Sequence, residues 1–267
     1  MKNKVVIITG ASSGIGKSCA FEFSKLGAKV VLVARSENSL KDISLKINQN
    51  GGESIFSVAD VSVESDCEKM IEETILNFGK IDILVNNAGI SMRSVFLNLD
   101  ISVFNKVMAV NFWGSVYCTK YALPYILKSN GSVVGVSSIA GYKGLPGRTA
   151  YSASKFALQG FLESLRIENL KNKLHVLIIC PGFTNSNIRK KALQGDGSQQ
   201  GESPRSEQKM MSSEKVALEM IKAIKKRKDT LVLTNSGKLT VLLNKFFSKF
   251  VDKLVFNHMS KEPGSPF

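Results

Sequence analysis

The sequence predicts an α/β fold, a single domain built on a doubly wound parallel sheet of about seven strands with helices on both faces. Short runs rich in β-branched residues alternate with longer amphipathic stretches, as in successive βα units. The apolar residues of the short runs are consecutive, which is typical of strands covered on both faces. No repeat of fixed period occurs, and 267 residues suit one α/β domain.

The predicted strands come in regular order along the chain. They are residues 4–9, 29–34, 53–58, 81–85, 132–136, 174–180 and 230–233. Helical patterns between them include residues 14–26, 62–78, 102–129 and 150–169. Because crossovers between parallel strands are right-handed, a ligand crevice is expected at the carboxyl ends of the strands, where the strand order reverses.

Two segments depart from this rhythm. Residues 185–213 are polar and rich in Gly, Ser and Gln, and their length predicts a mobile functional loop. Residues 237–267 follow the last strand and predict a basic amphipathic helix and a tail. We therefore assign residues 1–236 to the α/β domain and residues 237–267 to a C-terminal addition.

The composition argues against several classes of protein. Four cysteines without a CxxC pair and two histidines predict neither a metal site nor a disulfide framework. Only four consecutive apolar residues precede Thr9, which is too few for a secretory signal, and no apolar run is long enough to span a bilayer. A cytoplasmic protein is therefore expected. The net charge of +14 suits an acidic partner, but no nucleic-acid-binding motif accompanies it.

A glycine-rich turn follows the first predicted strand and opens the first helix. Glycines permit a tight turn and let backbone N–H groups approach a pyrophosphate beside the positive end of a helix. The turn predicts a Rossmann-like dinucleotide site, with cofactor contacts at Gly10, Ser12, Ser13, Gly14, Ile15 and Gly16.

The end of the second predicted strand indicates which dinucleotide binds. An acidic residue there would accept hydrogen bonds from the ribose hydroxyls of NAD. This chain has Ala34 followed by Arg35, whose guanidinium suits the 2′-phosphate of NADP. The sequence therefore favours NADP(H) over NAD(H).

Further motifs resemble, in chain order, those of the short-chain dehydrogenase/reductase family. Asn86-Asn87-Ala88-Gly89 follows the fourth strand, and Asn111 lies in the next helical stretch. Ser137-Ser138 ends the fifth strand, Tyr151-Ser152-Ala153-Ser154-Lys155 begins the following helix, and Pro181-Gly182 closes the sixth strand. The resemblance extends from about residue 4 to residue 186, and it implies hydride transfer between a nicotinamide and a carbonyl or secondary alcohol.

The predicted chemistry also follows from the residue types. Hydride transfer to a carbonyl leaves an alkoxide that needs a proton, and Tyr151 is the candidate acid/base. Lys155 lies one helical turn later, where its ammonium is expected to lower the pKa of Tyr151. By resemblance, the catalytic serine stands thirteen residues before the tyrosine, which selects Ser138 over Ser137. The resemblance also implies that Asn111 holds a relay water.

The resemblance implies further cofactor contacts. Asp60 and Val61 would contact the adenine, and Lys155 would also reach the nicotinamide ribose. Asn87, Ala88 and Gly89 would support or line the crevice, and Pro181, Gly182, Thr184 and Ser186 would lie near the nicotinamide. The family usually has a hydrophobic residue and then a threonine where this chain has Thr184 and Ser186.

The C-terminal stretch allows two interpretations. Residues 238–257 place leucines and phenylalanines on one helical face and lysines on the other. Such a helix can lie in a membrane interface, or it can pack on its own domain or on a partner subunit. A peripheral membrane enzyme acting on a lipid-like or steroid-like carbonyl or alcohol is one hypothesis.

Residues 90–96, 139–148 and 185–213 are expected to form the substrate wall. Met92, Leu145 and Pro146 predict an apolar lining, whereas Arg93 and Arg148 could meet an acidic group. An NADP(H)-dependent oxidoreductase is the favoured function, with a non-catalytic NADP-binding regulatory protein as the alternative. A nucleotide-sugar epimerase is disfavoured by the spacing of the glycine turn. The resemblance implies a homodimer or homotetramer formed through the helices that hold Asn111 and Tyr151.

Overall fold

The computed structural model describes residues 1–206 and 210–267, so residues 207–209 of the predicted loop lie outside the described residues. Its strands are β1 (Val5–Thr9), β2 (Lys29–Ala34), β3 (Glu53–Val58), β4 (Ile83–Asn86), β5 (Ser132–Val136), β6 (His175–Cys180) and β7 (Thr230–Val232). They form one parallel sheet in the order β3-β2-β1-β4-β5-β6-β7. The predicted fold class is confirmed.

The helices of the described chain follow the strands in alternation. They are α1 (Gly14–Lys25), α2 (Glu37–Gln49), α3 (Glu64–Phe78), α4 (Ile101–Met108), α5 (Gly114–Lys128), α6 (Thr149–Glu168), α7 (Ser213–Lys225), α8 (Asn235–Phe246) and α9 (Ser248–Met259). One core packs α1, α2 and α7 on one face of the sheet, and a second packs α3, α5 and α6 on the other. This arrangement explains why the strands are apolar on both faces.

The switch point of the sheet lies between β1 and β4, whose chain connections run to opposite sides. The carboxyl ends of these two strands are joined by Thr9. Its hydroxyl accepts hydrogen bonds from the backbone N–H groups of Asn87 and Ala88, each at 3.0 Å. A crevice for a ligand therefore opens at this edge, where doubly wound sheets bind ligands.

The long helix expected over residues 102–129 is interrupted. A wider π-helical turn, Ala109–Trp113, separates α4 from α5. The Asp100 side chain caps α4 by accepting from the Ser102 N–H at 2.7 Å. Such π turns are rare and are often found at functional sites, and this one holds Asn111.

The C-terminal stretch forms two helices, where the amphipathic pattern indicated one. The break falls at Phe247, whose backbone leaves the helical region (φ −130°, ψ 49°). Both helices are tied to the segment that follows β5: Asn244 donates to the Tyr142 carbonyl at 3.0 Å, and the Lys143 ammonium pairs with Asp252 at 2.6 Å. The break turns α9 back across the crevice. Within the described residues, no helix combines the length and apolar character needed to cross a membrane.

Candidate active site

The glycine turn after β1 is shaped by close backbone contacts. Gly10 has φ +66°, and a Cβ there would lie 2.9 Å from the Cα of Ala88. A Cβ at Gly16 would lie 2.3 Å from the Gly10 carbonyl oxygen. Side chains at either position would therefore disrupt the turn. The Ser13 side chain does not cap α1, and Ser13, Gly14 and Ile15 line the crevice, so a pyrophosphate bound there would lie at the N-terminus of α1.

Asn87 ties the turn to the sheet. Its side-chain amide donates to the Thr9 carbonyl at 2.8 Å and lies 3.4 Å from the Gly10 carbonyl. Ala88 and Gly89 continue along the floor of the same crevice. Asn87 thus supports the turn that would bind the pyrophosphate and holds it against the end of β4.

The adenosine end of the crevice contains Arg35, Asp60 and Val61 together. The Arg35 guanidinium lies 3.6 Å from the Asp60 carboxylate, which also accepts from the Ser62 hydroxyl at 2.7 Å. Partial burial alone would raise the pKa of Asp60, but the Ser62 hydrogen bonds and the Arg35 charge hold it below its ordinary value. Asp60 therefore remains an anionic acceptor at neutral pH.

Three side chains converge where β5 ends and α6 begins. Tyr151, Ser138 and Lys155 line the crevice, and the Ser138 hydroxyl is close enough to the Tyr151 phenol to oppose the rise of its pKa. The Lys155 ammonium lies 5.7 Å from the centroid of the Tyr151 ring and donates to the Val136 carbonyl at 2.9 Å. A hydroxyl pair and a buried cation thus surround one point, which suits a carbonyl oxygen that gains charge and a proton.

The two neighbouring serines have different environments. Ser137 is buried and accepts from the Gln159 amide at 2.8 Å, so its hydroxyl belongs to the packing between β5 and α6. Ser138 accepts from the Ala140 N–H at 3.2 Å at the start of a short 3₁₀ turn, and its hydroxyl faces the crevice. The geometry gives Ser138 access to a substrate.

Burial controls the protonation of this cluster. It raises the pKa of Tyr151, against the opposing effects of the Ser138 hydrogen bond and the Arg148 charge. Burial also lowers the pKa of Lys155 to about 8. The net shift of the Tyr151 pKa is upward because the loss of water around the phenol outweighs the nearby positive charges, and the contribution expected from Lys155 stays a prediction. Tyr151 is a proton donor at neutral pH.

Asn111 is fully buried and holds the neighbouring loop. Its side-chain oxygen accepts from the Ile90 N–H at 2.8 Å, and its amide nitrogen donates to the Ile90 carbonyl at 2.9 Å and to the Ser154 hydroxyl at 3.0 Å. These bonds connect the π turn, the segment after β4 and helix α6. The side chain of Asn111 is thereby committed to positioning these elements.

The segment after β6 closes the crevice. A Cβ at Gly182 would lie 2.6 Å from the Thr234 side chain, so Gly182 packs closely against the start of α8. Thr184 is buried and its hydroxyl donates to the Gly182 carbonyl at 3.1 Å. Ser186 lies against Gly14, with 3.2 Å between its Cβ and a Cβ built on that glycine. Pro181, Gly182, Thr184 and Ser186 all line the crevice.

The crevice continues into a cavity of about 880 Å³ that sequence reasoning described incompletely. The C-terminal helices contribute Leu243, Val251, Val255 and Met259 to its wall, and Glu262 follows them. In the sequence, the amphipathic pattern of residues 238–257 was the only indication of an apolar surface in this part of the wall. The pattern does not predict that this surface covers the cavity. The predicted walls 90–96, 139–148 and 185–213 each contribute residues as well.

Fold and site together define a doubly wound α/β protein with a glycine turn and a tyrosine–lysine–serine cluster in one crevice. A family model described as short chain dehydrogenase matches residues 4–197. The chain therefore belongs to the short-chain dehydrogenase family.

Two curated relatives from plants show the extent of the similarity. The 11-beta-hydroxysteroid dehydrogenase 1A of Arabidopsis thaliana is 44% identical over 197 residues, which make up 73% of this chain and 56% of that protein. The 11-beta-hydroxysteroid dehydrogenase of Pinus massoniana is 42% identical over 190 residues, 70% of this chain and 53% of that protein. The chain thus spans little more than half the length of these relatives.

Solved structures share the fold. A short-chain dehydrogenase/reductase from Burkholderia phymatum, in complex with NAD, superposes with a TM-score of 0.83 at 24% identity, covering 93% of this chain and 95% of that one. The alcohol dehydrogenase of the archaeon Thermococcus sibiricus, complexed with 5-hydroxy-NADP, gives a TM-score of 0.75 at 24% identity, covering 87% and 96%.

Proposed function

We propose that the protein is an NADP(H)-dependent oxidoreductase that transfers hydride between the nicotinamide and a carbonyl or secondary alcohol of a hydrophobic substrate. The observation that carries this proposal is the convergence of Tyr151, Ser138 and Lys155 in the same crevice as the glycine turn. The alternative, a non-catalytic NADP-binding regulatory protein, would have no use for this cluster.

The mechanism assigns one task to each side chain. A bound NADPH would supply the hydride. Ser138 donates a hydrogen bond to the substrate carbonyl oxygen as negative charge develops there, and Tyr151 delivers the proton. Lys155 holds positive charge beneath the phenol ring and would contact the nicotinamide ribose. Asn111 positions the segment after β4, through Ile90, against helix α6.

Cofactor preference is assigned to the end of β2. Ala34 and Arg35 line the crevice, and the Arg35 side chain is 65% exposed, so it can turn toward a 2′-phosphate. No acidic side chain stands at position 34 or 35 to accept the ribose hydroxyls of NAD. A guanidinium binds phosphate through charge-assisted hydrogen bonds, which favours NADP(H).

Arg35→Ala should reduce the affinity for NADPH by about tenfold or more, since a charge-assisted hydrogen bond is lost. The Kd for NADH should change by less than about twofold, because NADH has no 2′-phosphate for Arg35 to bind. Both values come from titrating the purified protein and following nucleotide fluorescence. Lys41→Ala, an exposed basic residue of α2, is the matched control. Equal losses for the two nucleotides, or tighter NADH binding by the unmodified protein, would contradict the assignment.

A hydrophobic substrate is favoured by the cavity wall. The C-terminal helices bring Leu243, Val251 and Val255 to the cavity that contains Tyr151. The relatives named as hydroxysteroid dehydrogenases support a lipid-like or steroid-like carbonyl or alcohol as the substrate class. Burying such a skeleton against these side chains contributes roughly 25 cal/mol for each Å² removed from water.

We also place the protein in the cytoplasm, at the surface of a membrane. The C-terminal apolar face, defined as Leu242, Phe246, Phe247, Phe250 and Leu254, remains exposed while α8 and α9 cover the cavity. The exposed lysines around it are Lys238, Lys245, Lys249 and Lys253. Apolar side chains ringed by lysines suit the interface of an anionic bilayer.

Replacing Phe246 and Phe250 together by serine should lower partitioning onto phosphatidylserine-containing vesicles by about tenfold or more, because two exposed aromatic side chains no longer insert. Co-sedimentation of the full chain measures this. Phe96→Ser, a similarly exposed phenylalanine away from the C-terminal helices, is the control. Recovery of the unmodified protein in the supernatant with these vesicles would refute membrane association.

The family resemblance further suggests a homodimer or homotetramer formed through α5 and α6. Trp113, the last residue of the π turn before α5, and Phe156, within α6, are each nearly half exposed, and the Trp113 ring stacks on Tyr117 with 5.8 Å between ring centroids. Such exposed aromatic side chains are typical of an interface between subunits.

A further inference from the structure

Three arginines converge on one carboxylate at the cavity wall: Arg148 and Arg205 line the cavity together with Glu262, and Arg93 contacts Glu262 from behind this lining. Arg93 and Arg148 are neighbours because the Ser94 N–H donates to the Gly147 carbonyl at 3.1 Å, which aligns the two backbone segments. Arg205 comes from the segment after β6, and Glu262 follows α9. The Glu262 carboxylate lies 2.5 Å from Arg205 Nε, 3.6 Å from Arg93 Nη2 and 3.8 Å from Arg148 Nη2.

The cluster is buried and its charges do not balance. The side chains of Arg93, Arg148 and Glu262 are 9%, 12% and 6% exposed, and among the residues that the structure describes three positive charges face a single negative one. Buried charge is costly unless it is paired, so this arrangement has the capacity for further negative charge.

Hydrogen bonding in the cluster is also incomplete. The distances from Glu262 to Arg93 and Arg148 exceed hydrogen-bond length, so neither guanidinium makes the bidentate contact that it makes with a well-placed carboxylate. Arg93 Nε is buried without a hydrogen-bond partner among the described residues. Arg93 Nη2 donates to the Pro263 carbonyl at 2.7 Å, and Arg148 Nη1 to the Gly147 carbonyl at 3.1 Å. The forks of these two arginines are therefore available to an anion that approaches more closely than Glu262 does.

The position of the cluster relates it to the reaction. Arg148 immediately precedes α6 and stands three residues before Tyr151. Arg148, Arg205 and Glu262 line the same cavity as Ser138 and Tyr151, with Val251 and Val255 also in its wall. A ligand in this cavity can therefore present a carbonyl to Tyr151 and an acidic group to the arginines.

We propose that Arg93, Arg148 and Arg205 form a binding site for the carboxylate of an amphiphilic, fatty-acid-like carbonyl substrate, which displaces Glu262 when it binds. Glu262 occupies the site as an internal carboxylate and holds the chain after α9 against the cavity. A carboxylate is the group that the cluster already accepts, and the apolar wall suits an acyl chain. The proposal deepens the proposed function, on which it rests for the reaction at the carbonyl.

Binding of chain-matched ligands to the full-length protein tests the site without any turnover. Calorimetry would compare dodecanoate with methyl dodecanoate, which differ only in charge, and with dodecyl phosphate and acetate. Dodecanoate should bind at least about tenfold more tightly than its methyl ester, because charge-assisted hydrogen bonds are made only by the acid. Equal binding of acid and ester would overturn the proposal. Tighter binding of dodecyl phosphate than of dodecanoate would overturn the choice of carboxylate as the ligand group. Binding of acetate as tight as that of dodecanoate would overturn the claim that the ligand is amphiphilic.

Variants locate the site. Arg93→Gln and Arg148→Gln should each reduce the preference for acid over ester by about tenfold, whereas Glu262→Gln should increase the affinity for dodecanoate at least about threefold by removing the competing carboxylate. Arg166→Gln, which removes the surface pair with Asp229 at 3.4 Å, is the matched control. NADPH affinity in each variant reports intact folding. Weaker dodecanoate binding by a folded Glu262→Gln protein would overturn the displacement model.

Kinetics separate this inference from the proposed function. A long-chain keto acid and its methyl ester would be compared as substrates by following NADPH oxidation. The arginine variants should raise KM for the acid by at least about tenfold more than they raise KM for the ester. If the protein binds dodecanoate selectively but turns over neither substrate, the reductase function is refuted and the anion site stands. If it turns over both substrates without selectivity between acid and ester, the anion site is refuted and the reductase function stands.

Discussion

Tyr151→Phe is expected to lower kcat for carbonyl reduction by about 10²–10⁴-fold, the usual contribution of a positioned general acid. The phenol is buried, and burial raises its pKa, so it is protonated and able to donate across the whole neutral range. Phenylalanine keeps the ring that packs over the Lys155 ammonium but removes the only atom that gives up the proton. The Kd for NADPH should therefore change by less than about twofold.

The measurement combines NADPH oxidation against a panel of hydrophobic ketones with a fluorescence titration of NADPH. Tyr142→Phe is the matched control, since Tyr142 lies between β5 and α6, outside the cavity lining, and burial raises the pKa of its phenol to about 12. Full activity of Tyr151→Phe would refute the proposed mechanism. NADPH binding without turnover by the unmodified protein, across a broad panel, would instead favour the regulatory alternative.

Lys155→Met is expected to make the protein more stable at pH 7 while making it a much poorer enzyme. Burial lowers the pKa of Lys155 to about 8, which means that the charged ammonium destabilises the folded state at neutral pH. Methionine has a similar length and no charge, and it removes that cost. The loss of the hydrogen bond to the Val136 carbonyl at 2.9 Å opposes the gain. A net increase on the order of 1–2 kcal/mol in the free energy of unfolding is expected.

The contribution of Lys155 to the free energy of unfolding depends on pH. Native Lys155 releases its proton near pH 8, whereas in the unfolded chain it does so near its ordinary value of 10.5. Between these values the unfolded state binds more protons, so the Lys155 contribution to stability rises with pH in this window, by about 3 kcal/mol in all. Below pH 8 its unfavourable contribution is present in full and constant.

Urea unfolding at several pH values between 7 and 10, with no nucleotide added, measures this effect. The unmodified protein should gain stability across the window relative to Lys155→Met. Lys41→Met, at an exposed position of α2, should follow the unmodified protein. A Lys155→Met protein that is less stable at pH 7 would show that the hydrogen bond to Val136 outweighs the buried charge.

The sequence was sufficient to predict the sheet and its crevice. Strand runs that are apolar on both faces require helices on both sides, and this pattern is local, so it can be identified without the fold. The turn from Gly10 to Gly16 could also be predicted from the sequence. Close contacts with Ala88 and within the turn require glycine at these positions, so the spacing of the glycines marks the turn. The chain-order motifs, from Asn87 to Lys155, are brought to one edge by the right-handed crossovers that all such sheets share.

Only the tertiary structure decided how the C-terminal stretch folds and what it covers. An apolar stripe with helical period is compatible with one helix or with two, and the break at Phe247 depends on the contacts of Asn244 and Asp252 with a segment about 100 residues earlier. The convergence of Arg93, Arg148 and Arg205 on Glu262 likewise joins distant segments. The periodicity of a sequence shows which residues are neighbours along one helix or strand, whereas these contacts arise from packing between elements. The burial of Tyr151, which raises the pKa of its phenol against the nearby positive charges, arises from the same packing.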